Sequence, residues 1–285
     1  MKSNFKSFQK HIWQFYRAHK RDLPWRPPTL KLRRGKDELD PYKIFVSEVM
    51  LQQTQVSRVE RKYPEFLKAF PSFKALAKAP LRKVLKVWQG MGYNRRALAL
   101  HRAAVATVKV HSGRLPKDPA VLETFPGIGP ATAASIAAFA WNKPVVFIET
   151  NIRRVFIHHF FPRRREVRDE EIIPLLEKSL SRNHSREWYW ALMDYGSALA
   201  KQTVNPNRRS ARHRPQPAFE GSLREMRGKI VRLITAERSL SRAKLDSLLG
   251  TGARIEKSLV ALVKEGILEE NDVNHEKRYF VGKGS

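Results

Sequence analysis

The sequence of 285 residues contains no cysteine. This absence excludes disulfide bonds, thiolate catalysis, zinc–thiolate sites and iron–sulfur clusters held by cysteine. We therefore expect neither a metal site nor a cofactor.

Acidic residues are few. The chain has 27 Asp and Glu against 55 Lys and Arg, a formal net charge of +28. Such an excess favours a polyanionic partner, and nucleic acid is the default candidate. The alternative is a merely soluble basic protein, although self-repulsion of this size opposes compactness. With 42% hydrophobic residues the chain can still bury a core.

Long hydrophobic runs are also missing. The N-terminal stretch MKSNFKSFQKHIWQFYRAHKRDLPW lacks the continuous apolar segment of a signal peptide. No window of roughly 18 apolar residues is present, so we expect no membrane span. These features predict an intracellular, cytoplasmic and nucleoid-associated protein, and we expect it to be a monomer.

Helical periodicity dominates the first 200 residues. Apolar side chains recur every three or four positions over residues 4–19, which predicts an amphipathic helix, and residues 29–40 predict a charged loop. From Pro41 to about Ala200 the pattern predicts one helix after another, with residues 41–70 forming one or two of them. No useful alternation of period two occurs, so this part is predicted to be all-α.

The C-terminal third changes character. Prolines and a basic run predict a linker over residues 201–222. Beyond it, residues 223–237, 241–249 and 253–270 predict three helices, and residues 271–283 predict a short hairpin. Three helices and a β-wing suggest a winged-helix-like module over 223–285.

The stretch FPGIGPATAASIA, residues 125–137, is the most specific local motif. Its glycines let backbone N–H groups approach an anion, and the following helix adds its positive end. Such a hairpin binds a nucleic-acid phosphate without reading the bases. The alternative is an ordinary connection between two helices. The predicted backbone contacts are Gly127, Gly129, Ala131 and Thr132.

Two further stretches, DLPWR (22–26) and SEVMLQQTQV (47–56), carry polar groups among apolar ones. Glu48 lies in an otherwise apolar helix, where a carboxyl group tends to have a raised pKa and can act as a general acid. A partly exposed helix residue is the alternative. The glutamines beyond it could wedge into a base stack or read base edges.

These motifs, with WQGMGYNRRALALHRAA and the ETNIRRV segment, resemble the helix-hairpin-helix DNA glycosylases over roughly residues 8–200. Among the branches of that family they most resemble the MutY-type adenine DNA glycosylases. The resemblance implies an all-α, two-lobed helix-hairpin-helix glycosylase fold over 1–200, with 26–140 as one lobe and 1–25 plus 141–200 as the other. The small winged-helix-like (α+β) domain would follow.

The resemblance also implies a mechanism on double-stranded DNA that contains a mismatch or damaged base. The target nucleotide is flipped out of the duplex, and Glu48 matches the residue that protonates the departing purine. Glu149 matches the carboxylate that stabilises the sugar cation, and Asn151 the neighbouring asparagine. The residues implied for the base pocket or wedge are Trp25, Gln53, Tyr93, Asn94, Ala131 and Asp194.

Two catalytic positions depart from the family pattern. Glu149 stands where the family has aspartate, and the extra methylene moves the carboxylate by roughly 1–1.5 Å. A misplacement of about 1 Å can cost ~10²-fold in rate, so an active carboxylate, a changed substrate and a dead enzyme all remain open. A helix-start acid that only complements the dipole is a further alternative. Ala131 replaces the Schiff-base lysine of bifunctional relatives, so lysine-dependent strand cleavage is not expected.

Other departures concern DNA contacts. The four cluster cysteines of the family are missing, and the first of their positions falls on Ala200. Asn94 replaces a stacking tyrosine. The Nudix-like domain that senses oxidised guanine has no counterpart, which weakens the case for an oxidised-guanine partner. The basic run in place of the cluster loop could contact phosphates or form a solvated linker, and its members are Arg208, Arg209, Arg212 and Arg214.

Three hypotheses follow from the sequence. The first is a monofunctional DNA glycosylase that removes a mispaired base, adenine before others. The second is a mismatch uracil or thymine glycosylase, which Asn94 and Ala131 favour. The third is a catalytically inactive DNA-binding protein, which the change from aspartate to Glu149 motivates. His158 and His159, adjacent on a predicted apolar helix, are interpreted as packing residues.

Overall fold

The computed structural model describes residues 2–27, 38–273 and 275–284. Most of the predicted charged loop 29–40 therefore lies outside the described residues. The helices of the first half are α1 Lys2–His19, α2 Pro41–Leu51, α3 Val56–Ala69, α4 Phe73–Lys78, α5 Leu81–Trp88, α6 Arg95–Val110 and α7 Pro119–Leu122. Those of the second half are α8 Pro130–Trp141, α9 Thr150–Phe160, α10 Asp169–Ser179, α11 Ser185–Gln202, α12 Leu223–Glu237, α13 Arg242–Leu249 and α14 Ala253–Lys264. The strands are β1 Ser239–Ser241, β2 Leu268–Val273 and β3 Glu276–Val281.

Side-chain caps explain several helix starts. Serine and aspartate are favoured at N-caps because their side-chain oxygen accepts a hydrogen bond from an N–H group that has no partner within the helix. The caps that accept a hydrogen bond from a backbone N–H group in the first turn of the following helix are Ser72, Asp118, Ser222 and Ser241.

The predicted helical segment 41–70 forms two helices in the structure. A break at residues 52–55 separates α2 from α3.

The described chain forms two compact units. The first unit comprises Met1–Ile44, Lys117–Glu123 and Gly129–Pro215, and the second comprises Phe45–Pro116, Thr124–Ile128 and Gln216–Ser285. These bounds differ from the predicted lobes 26–140 and 1–25 plus 141–200, so that lobe assignment stays a prediction. Residues 201–222 are divided between the two units.

The first unit is built on packed helices. Its core contains Phe8 and Ile12 of α1, Phe156 of α9 and Trp188 of α11, each at most 5% exposed. The buried guanidinium of Arg186 donates to the carbonyls at the end of α8 and so joins α11 to it. The predicted helical character of this region is confirmed.

The second unit joins helices α2 to α6 to the C-terminal module, α12 to β3. Buried aromatic rings pack together between the end of α3 and the end of α5. They belong to Phe66, Phe70 and Trp88. In the module the three strands form an antiparallel sheet in the order β1-β3-β2. Leu240 of β1 pairs with Tyr279 of β3, and both side chains are buried.

The C-terminal module differs from prediction in two places. The helix predicted over 253–270 ends at Lys264, and residues 268–270 belong to β2. Gly266 has a φ of +76°, which glycine adopts readily, and it turns the chain between helix and strand. The predicted hairpin is confirmed as β2 and β3, whereas the short strand β1 was not predicted. Within the described residues, no helix is long and apolar enough to cross a membrane.

Candidate active site

Glu149 lies at the N-cap of α9. Its Oε1 accepts hydrogen bonds from the backbone N–H groups of Asn151 at 2.7 Å and Ile152 at 2.8 Å. Oε2 accepts from the side-chain amide of Asn151 at 3.1 Å. The carboxylate therefore folds back over the start of its own helix, where the helix dipole favours negative charge.

Two opposing influences act on the Glu149 carboxyl group. Glu149 is half-buried at the start of α9. This burial raises its pKa above the ordinary value, because desolvation penalises the charged form. The hydrogen bonds from Asn151 and Ile152 and the charge of Arg154 act in the other direction, and the net direction is upward. The carboxyl group is therefore held in place by hydrogen bonds while its pKa lies above the ordinary glutamate value.

Arg154, one turn into α9, fixes the other side of Asn151. It donates to the Asn151 Oδ1 at 2.7 Å and to the Gly196 carbonyl at 2.6 Å. Its Nε donates to the Asn205 Oδ1 at 2.9 Å. A Cβ atom on Gly196 would overlap the Asn151 backbone, so the close approach of α11 to α9 requires glycine there. Sequence reasoning singled out neither Arg154 nor Gly196.

A segment after α11 holds α9 at both ends. Near the start of α9, Asn207 donates its side-chain amide to the Thr150 carbonyl at 2.8 Å. Near its end, the Arg209 guanidinium bonds the carbonyls of Phe161 and Pro162. Sequence reasoning missed Asn207, although an asparagine on each side of a proline is a signal of a capped turn.

The four predicted arginines of this segment have different surroundings. Arg209 is half-buried and bonded to backbone carbonyls, and Arg212 forms an ion pair with Asp169 at 3.2 Å. Arg208 and Arg214 are exposed. The exposed pair is therefore better placed than Arg209 to reach a phosphate, because Arg209 already serves the fold.

Asp194 is buried in the first unit. Its side chain is 1% exposed and pairs with Arg21 at 2.7 Å and Arg26 at 2.8 Å. The Arg26 guanidinium also lies 5.3 Å from the ring centroid of Trp190. These contacts fasten the DLPWR segment, in which Trp25 is buried, to α11. The predicted base contact of Asp194 stays a prediction.

In the second unit, Glu48 is half-buried on α2, and its neighbouring residues 44–47 are buried. This agrees with a carboxyl group on a mostly apolar helix. Gln53, just beyond the helix, is exposed and has a φ of 51°, in the left-handed region that a glutamine rarely adopts. Strained backbone of this kind is frequent at functional sites, and the wedge role of Gln53 stays a prediction.

Arg96 joins the end of α2 to the turn before α6. Its buried guanidinium donates to the carbonyls of Met50 at 2.8 Å and Gln52 at 2.7 Å. It also donates to the carbonyls of Met91 and Gly92, at 3.1 Å each. One side chain therefore fixes two backbone segments that are distant in the chain. Sequence reasoning did not single it out.

Tyr93 and Asn94 lie in that turn, and both are half-buried. Tyr93 has a φ of 48°, and the guanidinium groups of Arg96 and Arg224 each lie 5.6 Å from its ring centroid. Asn94 is at the N-cap of α6 and makes no side-chain cap bond. The ring of Tyr93 is therefore fixed by two cations, one of them from the C-terminal module.

Gly127, in the second unit, is required by the hairpin for two reasons. It has a φ of +74°, and a Cβ there would lie 2.8 Å from the Ala99 Cβ, so both conformation and space demand glycine. Its carbonyl accepts a hydrogen bond from Gln52 at 3.1 Å.

Gly129, in the first unit, is the N-cap of α8. Exposed Ala131 and half-buried Thr132 follow in the first turn of that helix. The first turn of a helix directs its N–H groups towards the N-terminal end, a geometry that suits an anion. The predicted phosphate contacts of these residues stay predictions.

Metal ligands do not come together in the described part of the chain: no group of three or more His, Asp or Glu side chains there could hold an ion. The four-thiolate cluster of the resembled family does not fit this chain, because it has no cysteine. Where the cluster loop would begin, α11 continues to Gln202, and the segment with Asn207 and Arg209 follows.

Comparison with known proteins gives consistent matches. Residues 46–181 match the HhH-GPD superfamily base excision DNA repair protein model. An adenine DNA glycosylase of Mycobacterium tuberculosis is 31% identical over 284 aligned positions, which cover 90% of this chain and 89% of that protein. The adenine DNA glycosylase of Homo sapiens is 36% identical over 154 positions, covering 52% of this chain and 27% of that protein.

Solved structures share the fold. A thermostable thymine-DNA glycosylase superposes with a TM-score of 0.57 at 23% identity, covering 69% of this chain and 87% of the other. A trapped endonuclease III–DNA covalent intermediate gives a TM-score of 0.57 at 15% identity, covering 70% and 87%. At these identities the likeness concerns the fold.

Proposed function

We propose, since the chain belongs to the HhH-GPD superfamily of base excision DNA repair proteins, that it is a monofunctional DNA glycosylase that releases adenine from a mismatch. The membership confirms the resemblance predicted from the motifs around Glu48, Gly127 and Glu149. The observation that carries the proposal is the held carboxylate of Glu149, with both oxygens bonded at the start of α9.

The proposed reaction breaks the N-glycosidic bond of a flipped nucleotide. Glu48 donates a proton to the departing base, which leaves with the bonding electron pair. Glu149, ionised, stabilises the positive charge that develops on the sugar, and water then adds to the anomeric carbon and gives up a proton. Asn151 and Arg154 hold the carboxylate in place.

The extra methylene of Glu149 is compatible with this role. Folding back over α9 brings the carboxylate to the N–H groups of Asn151 and Ile152, so the longer side chain has a defined position. A defined position is what preorganised charge stabilisation requires. With Ala131 on α8 in place of a lysine, we expect base release without Schiff-base strand cleavage.

The DNA partner is proposed to be a duplex with a mismatch or damaged base, bound by a monomer. Gly127, Gly129 and Thr132 would bind a phosphate, and Gln53 would enter the base stack. The exposed arginines of the segment 208–214 would add phosphate contacts.

The C-terminal module is proposed to be winged-helix-like. Its three helices, α12 to α14, and its three-stranded sheet support that assignment. Three helices followed by a β-hairpin are the usual composition of such modules, which often accompany DNA-binding proteins.

A panel of duplexes, each with one mismatch, tests the proposal. Incubation followed by alkaline cleavage should reveal abasic sites in the duplexes that place adenine opposite guanine or oxidised guanine. Release of uracil or thymine instead would establish the second hypothesis, which Asn94 and Ala131 favour. No abasic site with any duplex would leave the inactive DNA-binding protein as the explanation.

A further inference from the structure

Helix α12 of the C-terminal module is fixed at both ends against the region of α5. Arg82, in the first turn of α5, donates to the carbonyls of Thr235 at 2.8 Å and Ala236 at 3.0 Å near the end of α12. At the start of α12, Arg224 reaches Tyr93, which follows α5. The two helices therefore run in opposite directions, and Arg224 is brought to the turn before α6.

Arg224 and Tyr93 make several contacts with each other. The Arg224 Nη1 donates to the Tyr93 hydroxyl at 2.9 Å, and the guanidinium also lies over the Tyr93 ring. Gln216 donates to the same hydroxyl. The Arg224 guanidinium lies 5.2 Å from the Phe219 ring centroid, so it contacts two aromatic rings.

The turn held in this way adjoins the strained backbone of the second unit. Tyr93 is in the left-handed region, as is Gln53, and Arg96 bonds the carbonyls that precede both of them. Arg96 therefore supports the turn from the α6 side, and Arg224 supports it from the C-terminal module. Strained conformations persist only where the surroundings determine them strongly.

We propose that Arg224 is a positioning residue for mismatch recognition. Acting through Tyr93, it holds the turn at residues 90–94 and, through Arg96, the segment that carries Gln53. This inference rests on the proposed function and gives the C-terminal module a part in recognition.

The test compares Arg224→Ala with Arg232→Ala, which removes an equal charge from an exposed position of the same helix. Binding of mismatched and matched duplexes is measured by fluorescence anisotropy, with melting temperatures and single-turnover rates alongside. We expect Arg224→Ala to weaken mismatched-duplex binding about ten-fold more than the control, because a turn that has lost its hydrogen bond and cation–π contact must be ordered again when the duplex binds. Arg224→Lys should retain part of the affinity for mismatched duplexes, since lysine keeps the charge but lacks the planar guanidinium that stacks on the rings.

A double variant separates positioning from direct phosphate contact. Tyr93→Phe keeps the ring but removes the hydroxyl, so its effect and that of Arg224→Ala should be less than additive. Additive effects, or equal losses for matched and mismatched duplexes, would show that Arg224 acts on phosphate directly and overturn the inference. If the wild-type protein released no base, the proposed function would fail, while the binding comparison would still decide the role of Arg224.

Discussion

Asn151 donates twice to Glu149: its backbone N–H lies 2.7 Å from Oε1, and its side-chain amide lies 3.1 Å from Oε2. Asn151 in turn accepts from Arg154 at 2.7 Å. A chain of three residues at the start of one helix therefore sets the position of the carboxylate.

Glu149→Gln should reduce base release by at least about 10²-fold, because the neutral amide cannot stabilise the sugar cation. DNA binding should remain nearly unchanged. Single-turnover rates and duplex affinity check both statements, with Glu170→Gln, at an exposed position, as the control. Glu149→Asp keeps the charge and should retain release. Undiminished release by Glu149→Gln would remove the carboxylate from the mechanism.

The pH profile provides a second prediction. Because burial raises the pKa of Glu149, acidification should neutralise it at pH values above the ordinary glutamate range. Base release should therefore rise with pH through this raised pKa. The folded state also retains the Glu149 proton to higher pH than the unfolded chain does, so protonation of Glu149 favours the folded state. The free energy of unfolding should therefore decrease as pH rises through the same window.

Urea unfolding at a series of pH values measures that stability contribution. Glu149→Gln should lack it, whereas the exposed control Glu170→Gln should keep the wild-type profile. Identical stability profiles for Glu149→Gln and the wild-type protein would mean that burial does not shift the pKa of the Glu149 carboxyl group.

Asn207 should matter for stability and for rate. Asn207→Ala removes the hydrogen bond to the Thr150 carbonyl, and we expect a loss of about 1–2 kcal/mol in the free energy of unfolding. Base release should slow as well, because Thr150 adjoins Glu149. Arg208→Ala, at the exposed neighbouring position, serves as the control in denaturant unfolding. Equal stability of the two variants would contradict the proposed clamp on α9.

The arginines of residues 208–214 should divide into two classes. Arg209→Ala should lower the melting temperature, since its guanidinium bonds backbone carbonyls. Arg208→Ala and Arg214→Ala should leave the melting temperature unchanged but weaken duplex binding. Each should also reduce the slope of log affinity against log salt concentration by about one. A salt titration of affinity distinguishes the classes. Unchanged salt slopes would show that Arg208 and Arg214 do not contact phosphate.

His159 predicts acid sensitivity. Its ring packs against Phe8 and lies 3.0 Å from the Tyr195 hydroxyl, and burial lowers its pKa from 6.5 to about 4. The unfolded chain takes up this proton first, so stability should be lost as pH falls from 6.5 towards 4. In acid unfolding, His159→Phe should flatten that decline, whereas exposed His213→Gln should not. The predicted packing role of His159 agrees with these contacts.

Local signals account for what sequence reasoning obtained correctly. Helical periodicity, proline and glycine at turns and the hairpin motif depend on neighbouring residues, so α12 and the α2–α3 region could be predicted closely. The end of α14 was misplaced because apolar residues after Gly266 continue the helical pattern, while pairing with β3 places them in a strand.

The sequence by itself determined the helical class, the hairpin, the family resemblance and the position of Glu149 at a helix entrance, because each depends on residues close together in the chain. Tertiary structure decided what holds that carboxylate and the turn at Tyr93. Asn207 and Thr150 are 57 positions apart, and Arg224 and Tyr93 are 131 apart. Contacts over such separations follow from how helices pack, which no local pattern of residues specifies.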